Sequence, residues 1–225
     1  MIVVAVHDRI DFITNLLNQF SQIDLNGHRI LVVDTNSTNT DFLKEFPKLK
    51  EMFPNVLFDT KKYDCWDSGA YIHAYNNYFD EKYIFLQDSI EITNSNLIKD
   101  WDELLDKNDV VPMYNFNYIY DSVDQKEWAT ESINYEFEPT DGIFGPIFGV
   151  TRSALDKIPK HWLKEPTNKH YACGMERRWS LMFHSLNLKK TYMRYLTGNE
   201  QSLFFWQNTS YFSEYIRKIF VNRNS

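Results

Sequence analysis

Apolar residues follow one another without interruption in several short stretches of the first half of the chain. The first stretch is Ile2–Val6, and a second, Ile30–Val33, forms the apolar part of a predicted strand over Arg29–Asp34. Unbroken, mostly β-branched runs of this length are typical of strands that are buried on both faces of a parallel sheet. The segments Asn55–Asp59 and Lys82–Asp88 have a similar character and predict a third and a fourth strand.

Between these runs the apolar residues recur at helical spacing. One helix is predicted from Ile10, Ile13, Leu16, Leu17 and Phe20, and another from Phe42, Phe46, Leu49 and Met52. A third should begin near Asp67 or Ser68. Strands that alternate with helices indicate βαβ units. The sequence therefore predicts an α/β fold, in which residues 1–92 form a Rossmann-like, mostly parallel sheet with helices on both faces.

The second half of the chain is less regular and predicts an α+β region. Prolines interrupt it, short strands are expected over residues 110–120 and 142–150, and a helix should begin near Met175. We divide it into a part over residues 93–195 and an amphipathic, helical tail over residues 196–225. The whole chain, 1–225, is predicted to be a single domain, since 225 residues with 43 % hydrophobic content can build one large core.

Charge and composition exclude several classes of function. The formal charge of −7 argues against nucleic-acid binding, which requires a basic face. No apolar run is long enough to form a transmembrane segment, and the start of the chain lacks the features of a signal peptide. The two cysteines, Cys65 and Cys173, lie far apart and form no zinc motif. We therefore expect a cytoplasmic protein.

Polar residues stand where three of the predicted strands end. His7 follows the first strand, Asp34 ends the second and Asp88 ends the fourth. In open parallel sheets, ligands bind at the carboxyl ends of the strands. These three side chains are therefore candidates for one binding site, although a turn aspartate or a surface histidine would look the same in sequence.

Four regions in order resemble the GT-A glycosyltransferases, and they are most similar in pattern to the inverting family 2 group. The segments are VAVHDR (residues 4–9), ILVVDTNST (30–38), YIFLQDSIEI (83–92), and GPIFGVTRSALDKI (145–158) followed by GMERRWSLMFHSLNLKKTY (174–192). The resemblance covers about residues 1–195. It implies the GT-A fold and an inverting transfer of a sugar from a nucleotide-diphosphate sugar to a glycan or glycolipid acceptor.

The resemblance also implies which residues bind the donor. Asp34 corresponds to the aspartate that binds the base. The other residues that match the donor site, which contacts base, ribose and phosphates, are Val6, His7, Arg9, Asp67, Gly69, Gln87 and Asp88.

A divalent metal is implied where the family has a D-x-D motif, but this chain has Gln87-Asp88-Ser89. With Asp88 as the sole carboxylate ligand, we expect a weak site for Mn²⁺ or Mg²⁺, since these ions prefer oxygen ligands. Two alternatives remain open at this point. Basic residues could stabilise the diphosphate without a metal, or Asp88 could be a strand end without a catalytic role.

Glu176 matches the second acid of the family's E-D pair and is implied to be the general base. A glutamate in the first turn of a helix would also compensate the helix dipole. At least one of Arg177 and Arg178 is expected on a solvated helix surface. On the acceptor side, we expect Gly145 to form a wall near the sugar and Trp179 to stack on an acceptor sugar.

A second function of a different class stays open. The chain could be a catalytically inactive, glycosyltransferase-like binding or scaffold domain, for which the reduced Gln87-Asp88-Ser89 motif is the main support. A related nucleotidyltransferase is disfavoured, because the VHDRID turn lacks the glycines of the basic loop that such enzymes carry. An inactive domain would have no reason to keep both Asp88 and Glu176, so we favour the enzyme.

Overall fold

The computed structural model describes residues 1–117, 120–136, 141–195, 211–212 and 214–219. The first half contains β1 (Ile2–Val6), α1 (Ile10–Phe20), β2 (Ile30–Thr35), α2 (Thr40–Met52), β3 (Leu57–Lys61), α3 (Trp66–Asn77), β4 (Lys82–Gln87) and β5 (Ile90–Ile92). The second half contains α4 (Leu97–Leu105), β6 (Val110–Pro112), β7 (Asn115–Asn117), α5 (Val123–Thr130), β8 (Asp141–Ile143), β9 (Phe148–Thr151), α6 (Arg152–Leu155), a 3-10 turn (Lys160–Trp162), α7 (Lys169–Ser185), β10 (Tyr211–Phe212) and β11 (Ile216–Lys218).

A six-stranded sheet with the order β3-β2-β1-β4-β9-β6 forms the centre of the molecule. Strands β3, β2, β1 and β4 are parallel, and β9 and β6 extend the sheet in antiparallel pairing. The predicted mostly parallel sheet is confirmed. Strand β3 begins two residues later than predicted, because its side chains are partly exposed at the sheet edge and the apolar pattern marks its limits poorly.

Alternate residues of the central strands pack on opposite faces, as the period of two in a strand requires. In β1, Val3 and Ala5 join a core with α3 and α7, whereas Ile2, Val4 and Val6 join a core with α1, α2 and α4. Helices therefore cover both faces, which explains the unbroken apolar runs and confirms the predicted layering.

The long helix α7 begins at Lys169, earlier than the Met175 start that the sequence predicted. Asn168 caps it, since its side chain accepts a hydrogen bond from the backbone N–H of Tyr171. At 17 residues α7 is the longest helix that the structure describes. No helix among the described residues combines the length and the apolar character needed to cross a membrane.

The predicted helical tail is wrong where the structure describes it. Residues 211–212 and 216–218 form β10 and β11, which join β5 in an antiparallel sheet of order β10-β11-β5. Ile216 pairs with Ile92, and Lys218 pairs with Ile90. Pairing with β5 supplies the backbone hydrogen bonds, so tertiary contact overrides the local helical pattern. The other residues of the predicted tail, 196–210, 213 and 220–225, lie outside the described part.

Candidate functional site

The carboxyl ends of β1, β2 and β4 bring together three polar residues that the sequence placed at strand ends. Val6 is in register with Asp34 across β1 and β2. The backbone N–H of Asp88 donates to the carbonyl of Ala5 at 3.1 Å, and the carboxylate of Asp88 accepts a hydrogen bond from the backbone N–H of His7. The predicted common edge for His7, Asp34 and Asp88 is therefore confirmed.

Five residues at this edge, Asp67, Gln87, Asp88, Ser89 and Lys218, form what we call the strand-end cluster. The Gln87 side chain links its members: Nε2 donates to the Asp67 carboxylate, and Oε1 accepts from the Lys218 ammonium. Lys218 Nζ also donates to Ser89 Oγ at 2.7 Å. Neutral oxygens on both sides of Asp88 thus hold one buried cation.

Asp88 is a buried acid at the centre of this cluster. It is 9 % exposed, and its Oδ2 has no hydrogen-bond partner within the described residues. Burial and, to a smaller extent, the charge of Asp67 raise its pKa to about 7. The charges of Lys218 and Arg9 and the hydrogen bond from His7 lower the pKa and oppose this shift. A carboxylate oxygen without a partner in such a place is costly and is a candidate for ligand binding.

Lys218 is equally buried, with 7 % of the residue exposed. Burial lowers the pKa of its ammonium to about 8, while the charges of Asp67 and Asp88 act in the opposite direction. The ammonium therefore keeps its proton at neutral pH.

Glu176 and Gly145 form the second part of the site, which we call the helix side. The backbone N–H of Gly145 donates to Glu176 Oε1 at 3.0 Å. Burial raises the pKa of Glu176 to about 7, against the hydrogen bond from Gly145 and the charges of Lys169 and Arg177. Because α7 begins at Lys169, Glu176 lies in the middle of the helix, and the expectation that it sits in the first turn is wrong.

The strand-end cluster and the helix side contact each other through Gly145. Its φ is +63°, and a Cβ at this position would lie 3.1 Å from Gln87 Oε1. Charges connect the two parts as well, because Asp67 raises the pKa of Glu176 and Glu176 raises the pKa of Lys218. One site therefore contains both buried acids.

The structure also positions the other residues that the sequence predicted for the donor. His7 Nδ1 lies 3.0 Å from the carbonyl oxygen of Thr35, and the His7 ring stacks on Trp66 with 6.5 Å between centroids. The carbonyl of Val6 accepts a hydrogen bond from Thr35 Oγ1 at 3.1 Å. Arg9 precedes α1, and its charge acts on Asp88 from that side.

Asp34 is buried, and its Oδ1 accepts a hydrogen bond from the backbone N–H of Ser37 at 3.0 Å. The carboxylate thus holds the turn after β2, as a turn aspartate does. Its binding of a nucleotide base stays a prediction.

Comparison with solved structures identifies the architecture. A crystal structure of S. aureus TarS, residues 1–349, superimposes with a TM-score of 0.55 at 15 % identity, and covers 89 % of this chain and 61 % of that one. The same protein in complex with UDP-GlcNAc matches with a TM-score of 0.55 at 15 % identity, over 93 % of this chain and 61 % of that one. A mycobacterial protein matches with a TM-score of 0.52 at 12 % identity, over 86 % and 65 % of the two chains.

The chain has the GT-A fold. It spans about three fifths of the length of the TarS chain that it matches, since 61 % of that chain is covered. No protein-family model matches the chain, and no curated protein matches it in sequence. The likeness therefore rests on the fold and not on sequence.

Two predicted site residues have packing roles within the GT-A fold. Trp179 is 1 % exposed, lies in the core, and donates from Nε1 to Ser68 Oγ at 3.0 Å. The predicted stacking of Trp179 on an acceptor sugar is therefore wrong. Gly69 lies against Cys65, the cap residue of the same helix α3, where a Cβ would come within 2.3 Å of the Cys65 Cβ, so the first turn of α3 requires this glycine. A donor contact of Gly69 stays a prediction.

Both arginines after Glu176 are buried, and the expectation that one of them lies on a solvated surface is wrong. Arg178 donates to the carbonyls of Ala129 and Trp162 at 2.9 Å and 2.8 Å. Burial lowers its pKa to about 10. Arg177 lies over the ring of Tyr120 at 5.6 Å from its centroid. Both therefore stabilise the second half of the GT-A fold.

The residues around Asp88 do not fit a divalent metal ion in this arrangement. Gln87 and Ser89, the neutral oxygen ligands that flank Asp88, both accept hydrogen bonds from Lys218. Within the described ranges no group of three or more His, Cys, Asp or Glu side chains could hold a metal ion. A divalent ion at Asp88 would have to displace the ammonium or bind beside it against Coulomb repulsion.

Sequence reasoning missed three residues of this site: Lys218, Lys169 and Trp66. Lys218 reaches the site through the pairing of β11 with β5, for which the local pattern gave no signal. Lys169 stands at the start of α7, with Nζ 5.3 Å from the centroid of the Trp66 ring. An earlier helix start, signalled by Asn168 as a cap residue, could have placed Lys169 near Glu176.

Proposed function

We propose that the protein is an inverting glycosyltransferase that moves a sugar from a nucleotide-diphosphate sugar to a hydroxyl group of a glycan or glycolipid. The observation that carries this proposal is the pair of buried acids, Asp88 and Glu176, on either side of one site in a GT-A fold. Each has a pKa raised to about 7 by burial. Perturbed acids that converge in one site are typical of catalytic centres.

The donor is proposed to bind at the carboxyl ends of β1, β2 and β4. Crystal structures of TarS in complex with UDP-GlcNAc and with UDP, which share the fold, support this class of ligand. We place the base near Asp34 and His7 and the diphosphate between Arg9 and the strand-end cluster. The ring of Trp66, stacked on His7, provides an apolar surface at the same edge.

Glu176 is proposed to act as the general base. Its carboxylate removes the proton from the acceptor hydroxyl while the acceptor oxygen forms a bond to the anomeric carbon. The bond between that carbon and the diphosphate oxygen breaks at the same time, and its electron pair leaves with the nucleoside diphosphate. A pKa of about 7 suits this task, because a base is most effective when its pKa is close to the working pH.

Calorimetric titration tests the proposed donor site. UDP, GDP and dTDP are titrated into the protein, each with Mn²⁺ and with a chelator, so that the result does not depend on a metal. We expect micromolar binding of one of them. Asp34→Ala should weaken it about tenfold, the loss of one good hydrogen bond to a charged group, while Asp11→Ala on the exposed face of α1 serves as the matched control.

The outcomes separate the enzyme from other functions. If none of the three nucleoside diphosphates binds in either buffer, the proposed function is wrong. If one of them binds but no nucleotide sugar is turned over with any of a panel of glycan acceptors, a binding domain without catalysis is the better description.

A further inference from the structure

Lys218 stands where a cation is needed in the proposed reaction. When the sugar leaves the donor, negative charge grows on the diphosphate, and a preorganised cation stabilises it. The ammonium of Lys218 lies between Gln87 and Ser89, the two residues that flank Asp88. Two of the other members of the strand-end cluster, Gln87 and Ser89, thus accept hydrogen bonds from this one ammonium.

The partners of Lys218 are unusual for a buried lysine. Buried ammonium groups are normally paired with a carboxylate, because burial of an unpaired charge is costly. Lys218 instead donates to an amide oxygen and a hydroxyl, while the nearby Asp88 Oδ2 has no hydrogen-bond partner within the described part of the chain. The cluster therefore holds both charges close together without a direct hydrogen bond between them.

An ammonium has three N–H donors, and those of Lys218 have two oxygen partners among the residues that the structure describes. One donor is left for a ligand oxygen. A phosphate oxygen is a strong acceptor for an ammonium, and a hydrogen bond between the two is charge-assisted. The chemistry of the cluster thus fits one phosphate group of a diphosphate.

The position of Lys218 is fixed by backbone pairing and not by its side chain alone. Lys218 is in register with Ile90, and the backbone N–H of Ile219 donates to the carbonyl of Ser89 at 3.0 Å. One residue earlier, Arg217 Nη1 lies 3.3 Å from the carboxylate of Glu91. A strand fixed in this register brings the ammonium to Ser89 with little freedom, as electrostatic stabilisation requires.

We propose that Lys218 replaces the divalent ion of the donor site, so that its ammonium binds the diphosphate and stabilises the leaving group without a metal. This inference rests on the proposed function, because it assumes a nucleotide-diphosphate sugar as donor. Lys218 keeps its proton throughout, and the proton of the acceptor goes to Glu176. The reaction therefore balances without an added co-reactant.

The test measures how much of the binding depends on the diphosphate. UDP, GDP and dTDP, and the corresponding nucleosides, are titrated into the wild-type protein and into Lys218→Met and Lys218→Arg, each with a chelator and with Mn²⁺. Lys99→Met, on the exposed face of α4, is the matched control. Methionine has nearly the length of lysine and no charge. Arginine retains the charge, so Lys218→Arg provides a second comparison with the wild type if Lys218→Met fails to fold.

We expect the wild-type protein to bind a nucleoside diphosphate in the presence of the chelator, with less than about threefold change on adding Mn²⁺. Lys218→Met should weaken this binding about 10- to 100-fold, the range for a hydrogen bond to a charged group. It should leave nucleoside binding within about twofold, and Lys218→Arg should retain most of the diphosphate affinity.

Two results overturn the inference alone: diphosphate binding that requires Mn²⁺, or diphosphate binding that survives Lys218→Met unchanged. If no nucleoside diphosphate binds the wild-type protein in either buffer, the proposed function fails and the inference fails with it.

Discussion

The strand-end cluster and the helix side each hold one buried acid, and the two acids differ in their neighbours. Burial raises the pKa of both Asp88 and Glu176 to about 7. Both acids accept a backbone hydrogen bond and feel nearby charges, but the largest effect that opposes burial differs: it is the charge of Lys218 at Asp88 and the hydrogen bond from the Gly145 N–H at Glu176. Burial is thus the main cause of both shifts, and the two acids differ in the neighbour that most opposes it, an ammonium at Asp88 and a backbone amide at Glu176.

Removing the acid of the helix side should have the largest effect. Glu176→Gln retains the shape of the side chain and its acceptor for the Gly145 N–H but cannot take a proton. We expect kcat to fall about 10²- to 10⁴-fold, the usual contribution of a general base, with unchanged affinity for the nucleoside diphosphate. Steady-state kinetics and calorimetry measure both, with the exposed Glu127→Gln as control. A kcat within threefold of the wild type would refute the base assignment.

The pH dependence of kcat/KM should report the titration of one group from each region, Glu176 of the helix side and Lys218 of the strand-end cluster. Activity should rise with pH as Glu176 loses its proton near pH 7 and fall as Lys218 loses its own near pH 8. The charged groups that act on Lys218 are Asp67, Asp88, Lys169 and Glu176. Lys218→Arg should remove the alkaline limb, since arginine stays protonated. An alkaline limb that persists near pH 8 in this variant would assign it to another group.

The ionisation of Glu176 with rising pH should lower the stability of the protein, whereas it should raise its activity. The pKa of Glu176 is raised from 4.5 to about 7 in the folded state, so its contribution to stability is present below pH 4.5 and is lost as pH rises through 7. Glu176→Gln abolishes this loss. The free energy of unfolding of the variant relative to wild type should therefore increase by about 2–3 kcal/mol between pH 5 and pH 8. Urea unfolding at both pH values measures it, and an equal difference at both would contradict the shift.

Disturbing the contact between the strand-end cluster and the helix side at Gly145 should have the smallest effect on activity and stability. Gly145→Ala places a Cβ at a φ of +63° and 3.1 Å from Gln87 Oε1. We expect a loss of about 1–2 kcal/mol in the free energy of unfolding and a lower kcat. Gly27→Ala is the matched control, because its φ is +76° and nothing lies within 4 Å of the added Cβ. If both variants lose stability equally and retain full turnover, the contact with Gln87 has no role.

The central sheet and the common edge of its strands could be predicted from the sequence, because β1, β2 and β4 are buried on both faces and their apolar runs are continuous. The role of Trp179 could not be predicted from the sequence, because the helical periodicity of apolar residues is the same whether an aromatic residue packs in the core or contacts a sugar. Lys218 could not be found either. It meets Ser89 at a separation of 129 positions in the sequence, and only the pairing of β11 with β5 shows that they are neighbours.

The pairing of β5 with β11 also sets the point in synthesis at which the proposed donor site can be completed. The strands of the parallel sheet leave the ribosome early and can assemble around α1, α2 and α3 while the rest of the chain is still being made. The ammonium in the strand-end cluster arrives with β11, which is translated long after its partner strand. A nascent chain can therefore hold a nearly complete central sheet before Lys218 reaches the strand-end cluster, and the proposed donor site is complete only once β11 has paired with β5.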